Sequence, residues 1–526
     1  MLSSLFAAAA VSPPLADAEA QRASGQLAQA FGCDCYPNSI VGAAGAVFLL
    51  LRRDRERLLG IAWPPDAVPR CAADFHGERH PAVTVGDRRL YLQTGPLDQA
   101  NAEALRRYLP YTVPELAGIR AAFGAGDRLG LATPAHVRAV RGSGLQPFFA
   151  QQSIREMVRT GRTPQEVMDS AAWGVFQEGY RDGFGADADH LKTPEDIDAT
   201  VAAGFTMYTI DPGDHVDNAA ETDDVQTLMR KFEALPWLGL ATAPDDLLKA
   251  YVKKSFRLPD DSTLTFDDES LLRAAVKYGG ALAHTAAMYR HLLEKMSGRP
   301  FELEMSVDET ATPTSVAEHF FVATELRRLG VQWVSLAPRF VGEFEKGVDY
   351  RGDLGAFERS FAQHVAVARH LGPYKISIHS GSDKFSIYPI AARLAGQLVH
   401  LKTAGTSYLE ALRAVAKIDP GLFREILGFA IARYPEDRAS YHVSADVAKV
   451  PAPDALGEAE LAGVLDQFDG REVLHVTFGS VLTAESEGKP RFRERLMRAL
   501  SENEEIHYET VRAHIERHIQ PFAAAR

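Results

Sequence analysis

The sequence predicts a (β/α)8 barrel, because strand-like and helix-like segments alternate along the middle of the chain. Eight short apolar or alternating segments are separated by stretches whose apolar residues recur with helical periodicity. Acidic and basic residues directly follow several of these segments, at the strand end where parallel barrels carry their active sites. A doubly wound open sheet is the alternative, but no G-x-G-x-x-G motif and no P-loop follows any of the segments.

The barrel elements are predicted in regular order over residues 121–413. The first strand is assigned to residues 127–132, and Thr133-Pro134 opens the helix that follows it. Further helices are predicted over residues 315–329 and 354–371, where apolar residues recur every three or four positions. The other strands are predicted over residues 147–152, 183–190, 205–210, 301–307, 331–336, 375–379 and 398–401.

Three segments lie outside the barrel pattern. Residues 1–120 mix strand-like and helix-like pieces and predict a small N-terminal α+β cap. Residues 219–300 lack a strand pattern and predict a helical insertion after strand four, where it would roof the active site. Residues 414–526 predict a mostly helical C-terminal extension.

Composition is typical of a soluble globular protein, with 46% hydrophobic and 24% charged residues among 526. The net charge of −13 argues against nucleic acid and against an anionic membrane as partners. The net charge does not argue against an anionic small molecule as a ligand, because a local cluster of Lys and Arg can make one part of the surface positive. The only cysteines, Cys33, Cys35 and Cys71, form no recognisable disulfide framework, which fits a cytoplasmic protein.

Three histidines at strand ends indicate a metal site. The stretch FTMYTIDPGDHVDN runs from strand four through Pro-Gly into His215, while strands seven and eight bring His379 and His400. Because the carboxyl ends of barrel strands meet at one face, these three histidines are candidate ligands of one divalent ion, such as zinc, nickel or manganese. The alternative for each of them is a hydrogen-bonded structural histidine. Asp187, Asp189 and His190 form another such cluster, which we interpret as a polar loop near the site.

Five stretches, in the same order along residues 126–413, carry a likeness to a known family. They are FTMYTIDPGDHVDN, SVDETATPTSVAEHFF, VQWVSLAPRFVGEFEKGVDYRGD, GPYKISIHSGSDKFSIYPI and LVHLKTAGTSYLEALR. On these stretches the chain resembles the tagaturonate/fructuronate epimerase family, and a weaker likeness continues to the C-terminal HIQPF. The resemblance implies a metal-dependent enzyme of cytoplasmic hexuronate catabolism, whose substrate is a small keto-sugar acid.

Candidate acid–base residues flank the predicted metal ligands. Asp214, beside His215, is the candidate proton acceptor, with Asp211 as its rival. Glu309, after the acidic strand five, is the candidate proton donor, with Glu304 as its rival. The alternative roles are a carboxylate that orients an imidazole, for Asp214, and a helix-capping acid, for Glu309.

Cationic and polar residues at other strand ends are candidates for binding a substrate carboxylate and hydroxyls. Each lysine or arginine could instead lie in an ordinary ion pair. The predicted substrate-binding residues are Gln152, Arg339, Ser380, Lys384 and Lys402.

The reaction that the resemblance implies needs a carbon–carbon cleavage. The inverted carbon lies β to the ketone, so its hydrogen is not acidic and enolisation cannot invert it. Retro-aldol cleavage to an enediolate and an aldehyde can invert it, if the aldehyde rotates before the bond forms again. A metal ion would stabilise the enediolate, and an acid and a base would move the hydroxyl protons. A transient redox route would need a nicotinamide, and the sequence has no dinucleotide-binding fingerprint.

Other functions remain compatible with the same residues. A metal-dependent ketose isomerase or a class II aldolase would use the same metal and enediolate chemistry. An inactive sugar-binding protein is a second alternative, and the presence of all the candidate acids and histidines argues against it. Within the family, the preferred sugar could also be a neutral ketohexose such as tagatose or fructose.

Overall fold

The computed structural model of the protein describes residues 5–6 and 8–524 and contains a closed barrel of eight parallel strands. Each strand pairs in parallel with its neighbour in sequence, and strand eight closes on strand one. The predicted (β/α)8 barrel is therefore confirmed. In chain order the barrel strands one to eight are Ala122–Ala125, Gln146–Ser153, Gly185–Leu191, Met207–Ile210, Glu302–Ser306, Ser335–Ala337, Lys375–Ile378 and Val399–Thr403.

The first strand was assigned wrongly, to residues 127–132. Strand one is Ala122–Ala125, a four-residue segment (AFGA) without β-branched side chains. Asp127 explains why the next residues are not extended, because its carboxylate accepts hydrogen bonds from the backbone N–H groups of Leu129, Gly130 and Ala132. These bonds turn the chain into the helix at Thr133–Val140.

Helices surround the barrel, and local capping sets where several of them begin. Ser153, Thr163, Thr193 and Ser315 each form a capping box, in which the side chain accepts from the backbone three residues later. The helices around the barrel are Thr133–Val140, Ile154–Thr160, Pro164–Glu178, Pro194–Ala203, Val316–Arg328, Leu354–Leu371, Tyr388–Ala395 and Thr406–Ile418.

A six-stranded antiparallel sheet precedes the barrel. The helix Asp17–Phe31 covers one face of it, and the helix Gln99–Tyr108 packs on the other face together with Trp173 and Phe176 of the barrel. Residues 1–4 and 7 of the predicted cap lie outside the described residues. The strands of this sheet are Asp34–Cys35, Val41–Ala43, Ala46–Arg53, Glu56–Trp63, Glu78–Val85 and Arg88–Gly95.

The insertion after strand four is mostly helical, with one short hairpin. The 29-residue helix Asp268–Met296 is its longest element. None of its described residues lines the cavities at the barrel mouth, so the predicted roof is not formed by this insertion. The other insertion elements are the helices Val225–Glu233 and Pro244–Tyr251 and the strands Ser255–Arg257 and Thr263–Thr265.

The C-terminal extension packs beside the barrel around a second apolar core. It contributes Tyr441 and His442 to the barrel mouth. No helix in the described part of the chain is both long enough and apolar enough to cross a membrane. The boundaries at 120 and 413 stay predictions. The helices of the extension are Pro420–Asp437, Glu458–Leu461, Phe468–Val476, Phe478–Thr483, Arg493–Glu502 and Glu504–Ala524, and a two-stranded hairpin joins Glu485–Ser486 to Lys489–Pro490.

Close packing between two barrel helices predicts a stability difference between two glycine variants. A Cβ at Gly174 would lie 2.5 Å from Thr133 Cβ, whereas a Cβ at Gly25 would meet no atom within 4 Å. We expect Gly174→Ala to lower the free energy of unfolding by about 1 to 3 kcal/mol through overpacking. Gly25→Ala, on an exposed helix surface, should be neutral or stabilising by roughly 0.5 to 1 kcal/mol. Thermal unfolding of both variants checks this, and a Tm of Gly174→Ala at or above that of Gly25→Ala would contradict it.

Candidate active site

A β-bulge in strand three turns His190 into the barrel mouth. Between two successive pairs with strand four, strand three contains one extra residue. In a regular strand, an inward Asp189 would place His190 on the outer face. Because of the extra residue, and of a backbone φ of 53° at His190, both side chains face the interior.

His190 and His379 face each other at the mouth of the barrel. His190 Nε2 lies 3.2 Å from His379 Nδ1. The other ring nitrogens meet carboxylates, with His379 Nε2 2.6 Å from Glu304 Oε1 and His190 Nδ1 3.1 Å from Asp211 Oδ2. If both outer nitrogens donate, the two inner lone pairs face each other, which is unfavourable unless a proton or a metal ion lies between them.

The inner nitrogens have further acidic neighbours. Asp189 Oδ2 lies 3.8 Å from His190 Nε2, and Asp308 Oδ1 lies 3.4 Å from His379 Nδ1. Asp189, His190 and His379 each offer one ligand atom, and these atoms all lie within 4.8 Å of one another. Two imidazoles and a carboxylate, each imidazole oriented by an outer carboxylate, suit a divalent ion such as zinc, nickel or manganese. These residues therefore fit the metal that the sequence predicts.

The surrounding carboxylates strongly favour a positive charge between the two rings. Burial alone would lower the pKa of His190, but Asp189 and Asp211 outweigh it and raise that pKa to about 9. Burial likewise opposes the charged form of His379, whereas Asp308 and Glu304 raise its pKa to about 10. In the absence of a metal ion, the facing pair therefore holds a shared proton at neutral pH.

Lys402 lies beneath the two histidines and holds three buried carboxylates together. Its Nζ lies 2.6 Å from Asp187 Oδ2, 2.9 Å from Asp189 Oδ1 and 2.8 Å from Glu304 Oε1. Burial disfavours the ammonium, but the three acids raise its pKa well above the usual value. Lys402 thus supports the site from below by pairing with three carboxylates of the protein.

His400 lies one layer deeper than Lys402 on the same strand. Residues two apart share a face, so His400 points inward roughly 6 to 7 Å below Lys402. Its ring stacks on Phe148, with centroids 4.8 Å apart, and its Nδ1 is 3.9 Å from Glu304 Oε2. Burial, followed by the charges of Lys375 and Lys402, lowers the pKa of His400 well below its usual value. Its predicted role as a ligand stays untested, and the geometry favours His190 instead.

Two adjoining cavities open above His379. The larger, of about 350 Å³, is walled by Asp308 and Glu309 on one side and by Arg339 on another. The smaller, of about 50 Å³, is lined by Asp189, His190 and Lys402. The residues that line both cavities are Lys346, His379, Ser380 and Tyr441.

The structure does not bring Asp214 and His215 to this cluster. After strand four the Asp211 carboxylate accepts the N–H of Gly213, and residues Gly213–His215 form a 3-10 turn. The turn directs Asp214 outward to Lys192 at 3.0 Å, and His215 stacks on His284 of the insertion helix at 4.1 Å between centroids. The predicted roles of Asp214 as base and His215 as ligand therefore find no support in this geometry.

Two predicted substrate-binding residues occupy structural positions. Gln152 pairs with Ala188 and faces the helix layer, whereas its neighbour Gln151 faces inward, 3.5 Å from Asp189 Oδ2. The ammonium of Lys384 is fully buried and donates to the backbone carbonyls of Glu345, Val348 and Ser382 at 2.7, 2.5 and 3.1 Å. Lys384 therefore fixes a loop and does not point into a cavity.

Three other predicted residues do line the larger cavity. Ser380, Arg339 and Glu309 all contribute to its wall. Glu309 Oε1 lies 3.0 Å from Arg155 Nη2, and Arg339 donates to the backbone carbonyl of Thr310. Their positions agree with substrate-binding and acid–base roles, which stay predictions.

Sequence reasoning interpreted His190 as part of a polar loop near the site and missed Lys346 and Tyr441 altogether. The bulge that turns His190 inward leaves no pattern in GADADH, where plain alternation points the imidazole outward. Lys346 and Tyr441 lie in segments without regular structure, and only tertiary packing brings them to the barrel mouth.

The fold and the site together define the class of the protein, a (β/α)8-barrel enzyme with its functional groups at the carboxyl ends of the strands. Residues 36–522 match the family model of UxaE, tagaturonate epimerase. The chain therefore belongs to the tagaturonate epimerase family, and it is an isomerase of the epimerase type.

Individual relatives agree with this assignment. The chain is 49% identical over 419 residues to a tagaturonate/fructuronate epimerase of Thermotoga maritima, an alignment that covers 80% of this chain and 84% of the relative. A glycerol complex of the fructuronate-tagaturonate epimerase UxaE from Cohnella laeviribosi superposes with a TM-score of 0.87 at 37% identity, covering 96% of this chain and 99% of that one. The native crystal structure of the same enzyme also has a TM-score of 0.87, at 36% identity, covering 95% of this chain and 99% of that chain.

Substituting single histidines should distinguish the ligand set seen in the structure from the one predicted by sequence. We expect His190→Ala and His379→Ala to lose bound metal and activity together, because each removes one of the facing ring nitrogens. His215→Ala, whose ring stacks on His284, is the control and should retain its metal. Metal content by elemental analysis and folding by circular dichroism check this. Metal loss in His215→Ala with retention in His190→Ala would restore the sequence-based assignment.

Metal binding should release protons at neutral pH. His190 and His379 have pKa values raised to about 9 and about 10, so the facing pair holds a shared proton at pH 7 in the metal-free protein. A metal ion takes the place of that proton, so we expect about one proton to be released per ion and the affinity to rise with pH between 6 and 8. Titration calorimetry in buffers of different ionisation enthalpy measures the release. No proton release at pH 7 would contradict the geometry.

Proposed function

We propose that the protein interconverts D-tagaturonate and D-fructuronate at C4, by retro-aldol cleavage of the C3–C4 bond and re-addition to the other face of the aldehyde. Family membership supports the reaction. The observation that carries the mechanism is the facing pair His190 and His379, ringed by Asp189, Asp211 and Glu304, beside a cavity large enough for a hexuronate.

The ligands in this proposal are Asp189, His190 and His379. A divalent metal held there would act as a Lewis acid for the enediolate left by cleavage. Glu304 and Asp211 each accept a hydrogen bond from the outer nitrogen of one histidine, so each ring keeps its orientation and presents its inner nitrogen to the site. The chain thus supplies a negatively charged site whose side chains are already oriented to bind a cation.

Proton transfer is assigned to the two neighbouring acids at the end of strand five. Asp308 replaces Asp214 as proton acceptor, because it lines the cavity beside His379 whereas Asp214 points outward to Lys192. Burial alone would raise the pKa of Asp308, but the charge of His379 outweighs it and lowers that pKa, so Asp308 is ionised at neutral pH, as an acceptor of the C4 hydroxyl proton must be. Glu309, on the same wall, is the proposed donor to the new alkoxide. Burial alone would raise the pKa of Glu309, but the surrounding charges, led by Lys346, lower it, so Glu309 would first take up the proton released from the C4 hydroxyl.

Substrate contacts are proposed for residues on the cavity walls. Arg339 and Ser380 would bind oxygen atoms of the sugar, and Gln151 takes the role first assigned to Gln152 because it faces inward. Lys402 lines the smaller cavity, but its ammonium pairs with three buried carboxylates, so its proposed role is to hold these acids in place. A cytoplasmic location is part of the proposal, and the three unbridged cysteines support it.

The proposal is tested by incubating the purified, metal-loaded protein with each uronate and following the products by NMR. Interconversion of the two uronates is expected, with the C4 hydrogen retained and a ¹³C isotope effect at C3 and C4. Exchange of that hydrogen with solvent would exclude retro-aldol cleavage while leaving the epimerase assignment intact. Net formation of a different ketose or of cleavage products would favour an isomerase or a class II aldolase, and unchanged substrate would favour a binding protein.

Acid–base variants should separate the residues on the cavity wall from the exposed aspartate. Asp308→Asn and Glu309→Gln are each expected to lower kcat by about 10²- to 10⁴-fold, because a positioned acid or base typically contributes that much. Asp214→Asn is the matched control, since its carboxylate is exposed and paired with Lys192, and it should change kcat by less than about 3-fold. Metal content must be unchanged in all three. A large loss in Asp214→Asn alone would return the base to Asp214.

A further inference from the structure

Five cationic side chains line the two cavities, and three of them already have carboxylate partners. Arg128 lies 2.8 Å from Glu156, Arg155 lies 3.0 Å from Glu309, and Lys402 contacts three acids. An anionic substrate group gains most from a cation that is not already neutralised. In the described part of the chain, Lys346 and Arg339 are the two lining cations without an ion pair within 4 Å. The five cations are Arg128, Arg155, Arg339, Lys346 and Lys402.

Lys346 lies at the junction of the cavities, next to the proposed reaction centre. It lines both cavities, whereas Arg339 lines only the larger one. Its Nζ donates to Ser380 Oγ at 2.5 Å, and Ser380 directly follows His379. A hydroxyl is a weak partner for an ammonium, so the remaining donors of Lys346 are free to bind a ligand in either cavity.

The backbone around Lys346 is held in place from below by buried cations. Lys384 donates to the carbonyls of Glu345 and Val348 at 2.7 and 2.5 Å, and Arg471 Nε donates to the carbonyl of Gly347 at 2.8 Å. Three carbonyls next to Lys346 are thus fixed by side chains that are themselves buried. Because this backbone is held in place, the ammonium of Lys346 is confined to the region that its side chain can reach from there, which suits it to binding an anion at one position.

We propose that Lys346 binds the C6 carboxylate of the sugar acid and thereby determines the preference for a uronate over the neutral ketohexose of the same configuration. The inference rests on the proposed epimerase function and adds the residue that selects the substrate class. Lys384, predicted to bind substrate itself, is instead the positioning residue for Lys346. A neutral ketohexose has a hydroxymethyl group where the uronate has its carboxylate, so it loses only this charge-assisted contact.

The test compares Lys346→Met and Lys346→Arg with the wild type on D-tagaturonate and on D-tagatose. We expect Lys346→Met to lower kcat/KM for the uronate by about 10- to 100-fold more than for the ketohexose, the usual contribution of a hydrogen bond to a charged group. Lys346→Arg should restore part of the selectivity because it restores the charge. Where turnover of D-tagatose is below detection, its inhibition constant against D-tagaturonate replaces kcat/KM in the comparison.

Control variants make each outcome decisive. Lys249→Met removes an exposed lysine of the insertion and should leave both substrates unaffected. Equal losses for both sugars in Lys346→Met would overturn the proposal, and a selective loss in Arg339→Met alone would transfer the role to Arg339. If the wild type fails to epimerise D-tagaturonate, the proposed function falls. If it succeeds and selectivity is unchanged in Lys346→Met, only this inference falls.

Discussion

The contact between Lys402 and three buried carboxylates is the interaction on which the whole site depends. Asp187, Asp189 and Glu304 lie inside the barrel, where unpaired negative charges would be strongly destabilising. One ammonium with three donors neutralises part of this charge and fixes the directions of the carboxylates. Removing one partner from such a buried arrangement typically costs about 3 to 5 kcal/mol. Lys402 therefore allows a strongly acidic barrel interior to exist in a folded protein.

His190 and His379, which lie above Lys402, interact with the negative charge that Lys402 does not neutralise. Glu304 contacts both Lys402 and His379, so one carboxylate links the supporting ammonium to the ligand. Because the acids outnumber the cations there, the two facing imidazoles need a shared positive charge, which a divalent metal would supply without requiring protons. The metal site that we propose thus agrees with the charge balance around His190 and His379.

The C-terminal extension completes the mouth of the barrel. A buried cluster ties its last helix to the loop after strand seven, with His514 Nε2 2.5 Å from Asp383 Oδ1 and Arg471 Nη2 3.0 Å from Asp383 Oδ2. Asp383 and Ser380 both have positive φ, so the loop needs such support to keep a conformation that is unfavourable for non-glycine residues. Though remote in sequence, the extension thereby positions Ser380 and the neighbouring His379.

The sequence by itself determined the barrel, the strand ends that carry the chemistry and the residues His379, Ser380, Arg339 and Glu309 at the mouth. These features depend on local patterns, since apolar periodicity marks the strands and parallel strands must end at one face. Only the tertiary structure decided that His190 faces inward, that His215 turns away and that Lys384 supports a loop. The bulge and the partners of the buried lysine depend on contacts between segments far apart in the chain. The turn after strand four is local, but its direction, toward His284 of the insertion, is visible only in the folded protein. Hydrophobic periodicity predicts none of these features.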